Sequence, residues 1–401
     1  MPAIGSLTFS FDEGFDSGVA LLLVKAPTEA VSGAYGRCYV QAAPDSPHVV
    51  CRFSGATNEE EAISRGTVIA QEALDMLSVL GRGDLVTRDA QDEHIAWWCS
   101  SGRNCVSLVS TATFTLKAGP IEITVRDADG NVVPPVRVAP THHLAFRFYR
   151  LAQASDDLYD AYRNMYLAFE SLLSSRYPKG RGQEINWLRA SMASAATDLD
   201  LASLVPATAT DPVQHFLHTV YEGARLPLFH AKDGRAYFAP AEGQSDRLAV
   251  EAALIMLTQV VLRMADKWHA ARRLSSWVNL KLIEDQNRTL FDGSQFYYVD
   301  DPSVDLKKEP DHASLAGGVA FPAIFMDNFA GQTRHNLVGQ VDTALLASRG
   351  RLQAVFLGRD GYPLIGFNPD TSIDMTGFHQ LNVRLFIRGR NGGQPRYLFP
   401  R

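Results

Sequence analysis

The stretch that decides how this chain is read is Leu158-Tyr-Asp-Ala-Tyr162-Arg-Asn-Met165-Tyr-Leu-Ala-Phe169-Glu-Ser-Leu172-Leu173. Leu158, Tyr162, Met165, Phe169 and Leu172 recur at alternating steps of four and three, which lines them along one stripe of an α-helix. Such a stripe needs partners to bury it, and the following sequence supplies them. The loop Pro178-Lys-Gly-Arg-Gly182 leads to a helix expected near Gln183 to Thr197. Another is expected from Asp211, with Pro212 in the favoured first helical position. A last one, Ser245 to His269, is apolar nearly all round, as befits the central member of a bundle. The spacing therefore predicts a helical bundle over residues 141–273.

On either side the period falls to two. Residues 1–140 read as a β-rich α+β domain, with strands at Cys105 to Leu116 and Ile121 to Val125 and a turn at Asp129-Gly130. It contains one helix, capped by Thr57 with Glu60 three residues on, carrying Ile63, Val68, Ala70, Ala73, Leu74, Met76 and Leu77 and stopping at Gly81. Residues 274–401 read as a β-rich, sandwich-like domain. Its expected strands are Trp277 to Ile283, Gln295 to Val299, Leu352 to Leu357, Tyr362 to Phe367 and Leu381 to Ile387, with a hairpin turn at Asp360-Gly361 and a loop over Asp300 to Asp311. The fold class expected is α+β and multidomain, with a helical bundle between two strand-rich regions.

Composition supports a folded chain: of 401 residues, 46% are hydrophobic and 20% charged. A formal net charge of −6 excludes a protein that coats duplex nucleic acid by bulk electrostatics, but leaves room for a local basic site. The most apolar stretch, Leu248 to Ala265, is interrupted by Glu251, Gln259 and Arg263 and reads as a buried helix rather than a membrane span. With no basic leader ahead of an apolar run, a cytoplasmic location is expected. Cys38, Cys51, Cys99 and Cys105 lack C-x-x-C spacing and are expected as free thiols; Cys99 and Cys105 are the one pair that could face each other across a hairpin. Phosphate-loop, dinucleotide, zincin and nucleophile-elbow signatures are absent. Asp127, Asp129 and Asn131 begin like a calcium loop, but Val132 stands where glycine is required. His215 and His218 lie one turn apart, yet a metal would need a third ligand such as Glu222; no metal and no cofactor are expected.

What remains is Tyr221-Glu-Gly-Ala-Arg225-Leu-Pro-Leu-Phe-His230-Ala-Lys232. At about 100° per residue, Val213, Phe216, Leu217, Val220 and Ala224 fall on one side and His215, His218, Glu222 and Arg225 on the other. Pro227 cannot donate to the carbonyl of Gly223, so the helix is expected to kink or stop between Arg225 and His230. Histidine moves protons near neutral pH, and a guanidinium holds a phosphate bidentately. Together they suffice for metal-free cleavage of RNA through its 2′-hydroxyl.

A helical region of this size ending in R-x4-H resembles the HEPN superfamily, whose signature is R-x4-6-H. The words LYDAYRNMYLAFESLL, INWLRA and YEGARLPLFHAK are similar to its second, third and fourth helices, as in abortive-infection proteins and a methylamine-utilisation accessory family. The resemblance covers roughly residues 141–272. It implies a homodimer whose two motifs meet at a shared cleft and, in many members, metal-independent endoribonuclease activity in toxin, antiviral defence or RNA-processing settings. On this reading Arg225 holds the phosphate and His230 is the general acid or base. Glu170 is expected to orient Arg225, and His218, Glu222 and Lys232 are expected as supporting or RNA-binding residues. Arg88 with His94, Arg137 with His142 and His143, and Arg263 with His269 match the same loose spacing, but only Arg225 and His230 end an amphipathic helix inside the bundle with a polar stripe leading up to them. The chain departs from active members at Leu226, where a polar residue is usual. The alternative expectation is a non-catalytic binding or scaffold protein that dimerises through the bundle and recognises an unknown protein or ligand with its β-rich regions.

Overall fold

Ser17–Leu22 reads Ser-Gly-Val-Ala-Leu-Leu, and all six residues are buried; so are all six of His48–Phe53. A strand buried on both faces must have a layer above and another below it. The computed structural model supplies both. It describes residues 2–9, 14–35, 38–88, 93–116, 129, 138–155, 157–229, 237–238, 244–271, 288–304, 315, 317–326, 334–342, 345, 348–367 and 372–391. The fold is α+β, with a helical central region and strand-rich sequence on both sides. The chain divides into two compact units: Met1–Phe114 with Leu280–Gly389, and Thr115–Asn279 with Arg390–Arg401.

The first unit is organised by a nine-stranded sheet. Its order is Ile324–Met326, Arg334–Asp342, Gln380–Asn391, Arg103–Leu116, His94–Ser100, Ser17–Leu22, His48–Phe53, Cys38–Ala42 and Val31–Tyr35. Helix α1 (Glu59–Val79) packs on one face, where Val19, Leu21, Cys51 and Phe53 meet Ala62, Ala70, Leu74 and Leu77. The alternate residues Ala20, Val50, Ile95, Trp97 and Leu108 share a second core with Ile4, Phe296, Tyr298 and Leu357 from two four-stranded sheets. Gly66 sets the spacing of α1: a Cβ there would lie 2.5 Å from Val19 Cγ1 and 2.8 Å from Phe53 Cε1. Glycine costs a helix about 1 kcal/mol, and here it permits close approach to the sheet.

Regions 1–140 and 274–401, expected as separate domains, thus contribute to one sheet. Gln380–Asn391 lies beside Arg103–Leu116. At that junction the His379 N–H donates to the Asn104 carbonyl (2.7 Å) and the Asn104 N–H to His379 Nδ1 (3.0 Å). The physical reason is that a strand's backbone groups demand a neighbour, whereas period-two alternation does not say which one.

Local expectations are met with small displacements. The cap of α1 is Asn58, one residue after Thr57; its side chain accepts from the Glu61 N–H at 2.9 Å, and the Thr57 N–H and hydroxyl donate to Glu61 Oε2. Gly81, just past the end, has φ of 67°. Asp360 and Gly361, at φ of 53° and 79°, join Ala354–Arg359 to Tyr362–Phe367 in a two-residue hairpin. In the other hairpin Cys99 lies opposite Asn104 and Cys105 opposite Trp98, so that pair is out of register; all four cysteines are free. The expected strands Ile121 to Val125 and Trp277 to Ile283, and Gly130, lie outside the described residues.

The second unit is the bundle. It contains α2 (Ala145–Ala154), α3 (Leu158–Arg176), α4 (Glu184–Ala195), a 3₁₀ turn at Leu201–Leu204, α5 (Pro212–Phe216), a π-helical segment (Leu217–Arg225), α6 (Leu226–Phe229) and α7 (Gln244–His269). All five residues of the α3 stripe are buried in its core, each contributing about 1.5–3 kcal/mol relative to an exposed position. Asp157 caps α3, and Asp211 caps α5 through the N–H groups of Val213 and Gln214. Ser245–His269 meets the length and composition of a membrane span. Its Val250, Leu254, Leu257, Val261 and Met264 are buried among α3 and the π-helical segment.

Candidate functional site

The fourth helix of the bundle runs through Pro227 to Phe229, the last residue described before His230. Its hydrogen bonds widen ahead of the proline: Leu217–Arg225 is π-helical, and the Leu226 N–H donates to the carbonyl of Tyr221, five residues back. Two residues account for this register. Pro227 offers no N–H to the carbonyl four residues before it and presses on that carbonyl. The buried Tyr162 hydroxyl, reaching across from α3, donates to the Val220 carbonyl at 2.6 Å. A side chain inserted into the backbone ladder opens it.

A π turn advances less per residue than an α turn, so the polar stripe read on an α wheel divides. His218 and Glu222 pair with each other, Nδ1 to Oε2 at 3.1 Å, on the exposed side. Arg225 turns inward. Its Nη2 lies 2.9 Å from Glu184 Oε2, with the two side chains only 17% and 18% exposed. Glu184 is the first residue of α4. Three rings surround the guanidinium carbon, with centroids at 5.2 Å (Tyr221), 5.4 Å (Phe229) and 5.8 Å (Tyr166). The Tyr166 hydroxyl donates to Glu184 Oε1 and the Tyr221 hydroxyl to Oε2, both at 3.3 Å. Glu184 therefore accepts from three donors, which compensates for its removal from water. Burial, and after it the Glu184 charge, pushes both hydroxyls above the usual phenol range, so they remain donors through neutral pH.

The ion pair expected between Arg225 and Glu170 is thus made by Glu184. Glu170, half-buried on α3, acts on the same cluster through its charge, which helps to raise the Tyr166 and Tyr221 hydroxyls. His218 and Glu222 flank the site as a surface pair. His230 and Lys232 lie outside the described residues. Glu184 was in plain view in the sequence at the head of INWLRA, but an acidic residue in a first turn is ordinarily explained by the helix dipole.

Arg263, another arginine with a histidine at admissible spacing, has a different occupation. Its Nη1 donates to the carbonyls of Leu199 and Asp200, both at 2.6 Å, and its Nη2 to Ser203 Oγ at 2.7 Å. It ties down a turn in which Asp200 adopts a left-handed φ of 46°. Among the described residues, no three His, Cys, Asp or Glu side chains converge as a metal site.

Fold and site together define an α+β protein whose helical unit holds a caged arginine at the end of a π-helical segment. A family model described as Methylamine utilization protein MauJ matches residues 145–266, which run from the start of α2 almost to the end of α7. No curated protein and no solved structure matches the chain.

Proposed function

We propose that the helical unit is a HEPN-type, metal-independent endoribonuclease and that it works as a homodimer with two Arg225–His230 motifs at a shared cleft. The observation that carries this reading is the fixed Arg225: its guanidinium is held by Glu184 and walled by three rings, at the start of the R-x4-H motif. The stretch matched by the methylamine-utilisation family model coincides with the stretch that resembles the superfamily.

In the reaction the 2′-hydroxyl of RNA attacks the adjacent phosphorus and the bond to the 5′ oxygen breaks. The products are a 2′,3′-cyclic phosphate and a 5′-hydroxyl. His230 moves the proton, taking it from the nucleophile or giving it to the leaving oxygen. Arg225 holds the non-bridging phosphate oxygens as charge builds on them. Glu184 acts as a positioning residue, and the three rings exclude water, which strengthens the guanidinium's field. DNA lacks the nucleophile and is inert in this scheme.

The test is incubation of the purified protein with mixed RNA in EDTA. Fragments ending in cyclic phosphate are expected, and they must vanish in the Arg225→Ala, His230→Ala double variant; cleavage that survives the double substitution sinks the assignment. A second reading draws on Leu226, Pro227 and the Arg225–Glu184 pair: a binding or scaffold protein in which this pair merely pins the π turn to α4. RNA left intact by a folded, dimeric wild-type protein favours that reading. A role in defence and a cytoplasmic setting belong to the nuclease proposal.

A further inference from the structure

Cation and ring contacts accompany the caged arginine at Phe229 and along α4, and we propose that they form a track for single-stranded RNA. This inference rests on the nuclease reading above and names how that site would take its substrate.

On one side lies the loop before α4. Residues 178–183, Pro-Lys-Gly-Arg-Gly-Gln, are all exposed, and they lead directly into Glu184, the partner of Arg225. The loop carries Lys179 and Arg181 with no acidic residue between Arg176 and Glu184. Lys179 Nζ stands 5.7 Å from the ring centroid of Trp187, three residues beyond Glu184 on α4. The Trp187 ring is held in place by its Nε1–H, which donates to the Tyr177 carbonyl at 2.8 Å. On the other side lies Phe229. Its ring, on a residue 39% exposed, is shared by Arg225 at 5.4 Å and Arg163 at 6.0 Å. Arg163 also pairs with Asp160 at 3.2 Å, an exposed contact that a phosphate can displace cheaply.

Lys179 with Trp187, Arg225 with Tyr166, Tyr221 and Phe229, and Arg163 with Phe229 thus pair positive charge with aromatic rings. That combination binds single strands: cations follow the phosphates while the rings stack bases, with little sequence preference. Duplex RNA buries its base faces and offers nothing to Trp187 or Phe229. The net charge of −6 is no obstacle, because the attraction is local.

The experiment uses the full chain carrying His230→Ala, so that RNA is bound without being cut. Fluorescence anisotropy with a labelled, mixed-sequence single-stranded oligoribonucleotide is measured over a salt series. Lys179→Ala with Arg181→Ala should weaken binding at least several-fold and flatten the dependence of log K on log salt by about 0.7 for each phosphate that no longer meets a cation. Trp187→Phe should retain binding, whereas Trp187→Ala should lose roughly tenfold or more. Because Trp187 also packs on the bundle, the exposed-loop double variant is the deciding one. An unchanged affinity and salt slope in that variant overturns the track. If such a variant still cleaves RNA as wild type does, the nuclease reading survives without the track. Salt-sensitive binding by a wild type that cuts nothing keeps the track and removes the nuclease. Absence of RNA binding by the His230→Ala chain overturns the track, and cleavage by wild type then decides the nuclease separately.

Discussion

Arg225 and Glu184 help to compensate each other for leaving water. Removing one charge of a shielded pair strands the other, which typically costs about 3–5 kcal/mol when fully buried. The Glu184→Ala variant is expected to lose about 2–4 kcal/mol of stability in urea unfolding, since a remnant of exposure softens the penalty. Glu184→Gln keeps the shape and should lose less. Equal stability of the alanine variant and wild type would show that the pair holds nothing in place. His48 is a second residue whose environment sets its chemistry. It is buried, and burial with the nearby Arg88 charge lowers its pKa from 6.5 to about 4. The unfolded chain therefore takes a proton on His48 near 6.5 and the folded chain only near 4, so stability is complete above 6.5 and falls as pH drops between those values. This group alone accounts for a loss of up to about 3 kcal/mol by pH 4. Urea midpoints at pH 7 and pH 4.5 should converge in His48→Gln relative to wild type; an identical pH dependence counts against it.

The π-helical segment shows how an element's register, more than its sequence pattern, directs a side chain. On an α wheel His215, His218, Glu222 and Arg225 share one face, whereas the wider turn leaves His218 with Glu222 and delivers Arg225 to Glu184. Pro227 was legible as a disturbance because its missing N–H is a covalent fact. The Tyr162 hydroxyl was not legible, because its acceptor, the Val220 carbonyl, is 58 residues away in sequence. Tyr162→Phe removes that donor without leaving a cavity. Loss of about 1–2 kcal/mol is expected, and, on the nuclease proposal, slower RNA cleavage as Arg225 is re-aimed. Urea unfolding and the cleavage rate check the two effects separately, and a variant unchanged in both would show that the hydroxyl is incidental to the register.

Across the whole molecule, the helical unit lies in sequence between two stretches that build one sheet. The strands Arg334–Asp342 and Gln380–Asn391 belong to the same nine-stranded sheet as Ser17–Leu22 and Arg103–Leu116. A separately expressed fragment 274–401 is therefore expected not to fold. It would leave the backbone edge of Gln380–Asn391 unpaired and Leu357, Leu385 and Phe296 without Trp97, Ile95 and Leu108. Circular dichroism and denaturant titration of the fragment test this; a cooperative transition would mean that the strands suffice alone.

Periodicity by itself determined the bundle helices and a minority of the described strands, among them Arg103–Leu116, Gln295–Val299 and Gln380–Asn391. The α3 stripe, the Asp211 cap, the buried α7 and the Asp360-Gly361 turn depend on neighbours within a few residues, and local spacing encodes such contacts directly. The tertiary structure alone decided three things: that the two strand-rich regions share a sheet, that Asn104 is the residue facing Cys99, and that Glu184 rather than Glu170 forms the ion pair with Arg225. Each is a pairing between groups far apart in the chain or set by register. A linear pattern specifies that an edge, a thiol or a charge needs a partner; only packing in three dimensions selects which one comes within reach.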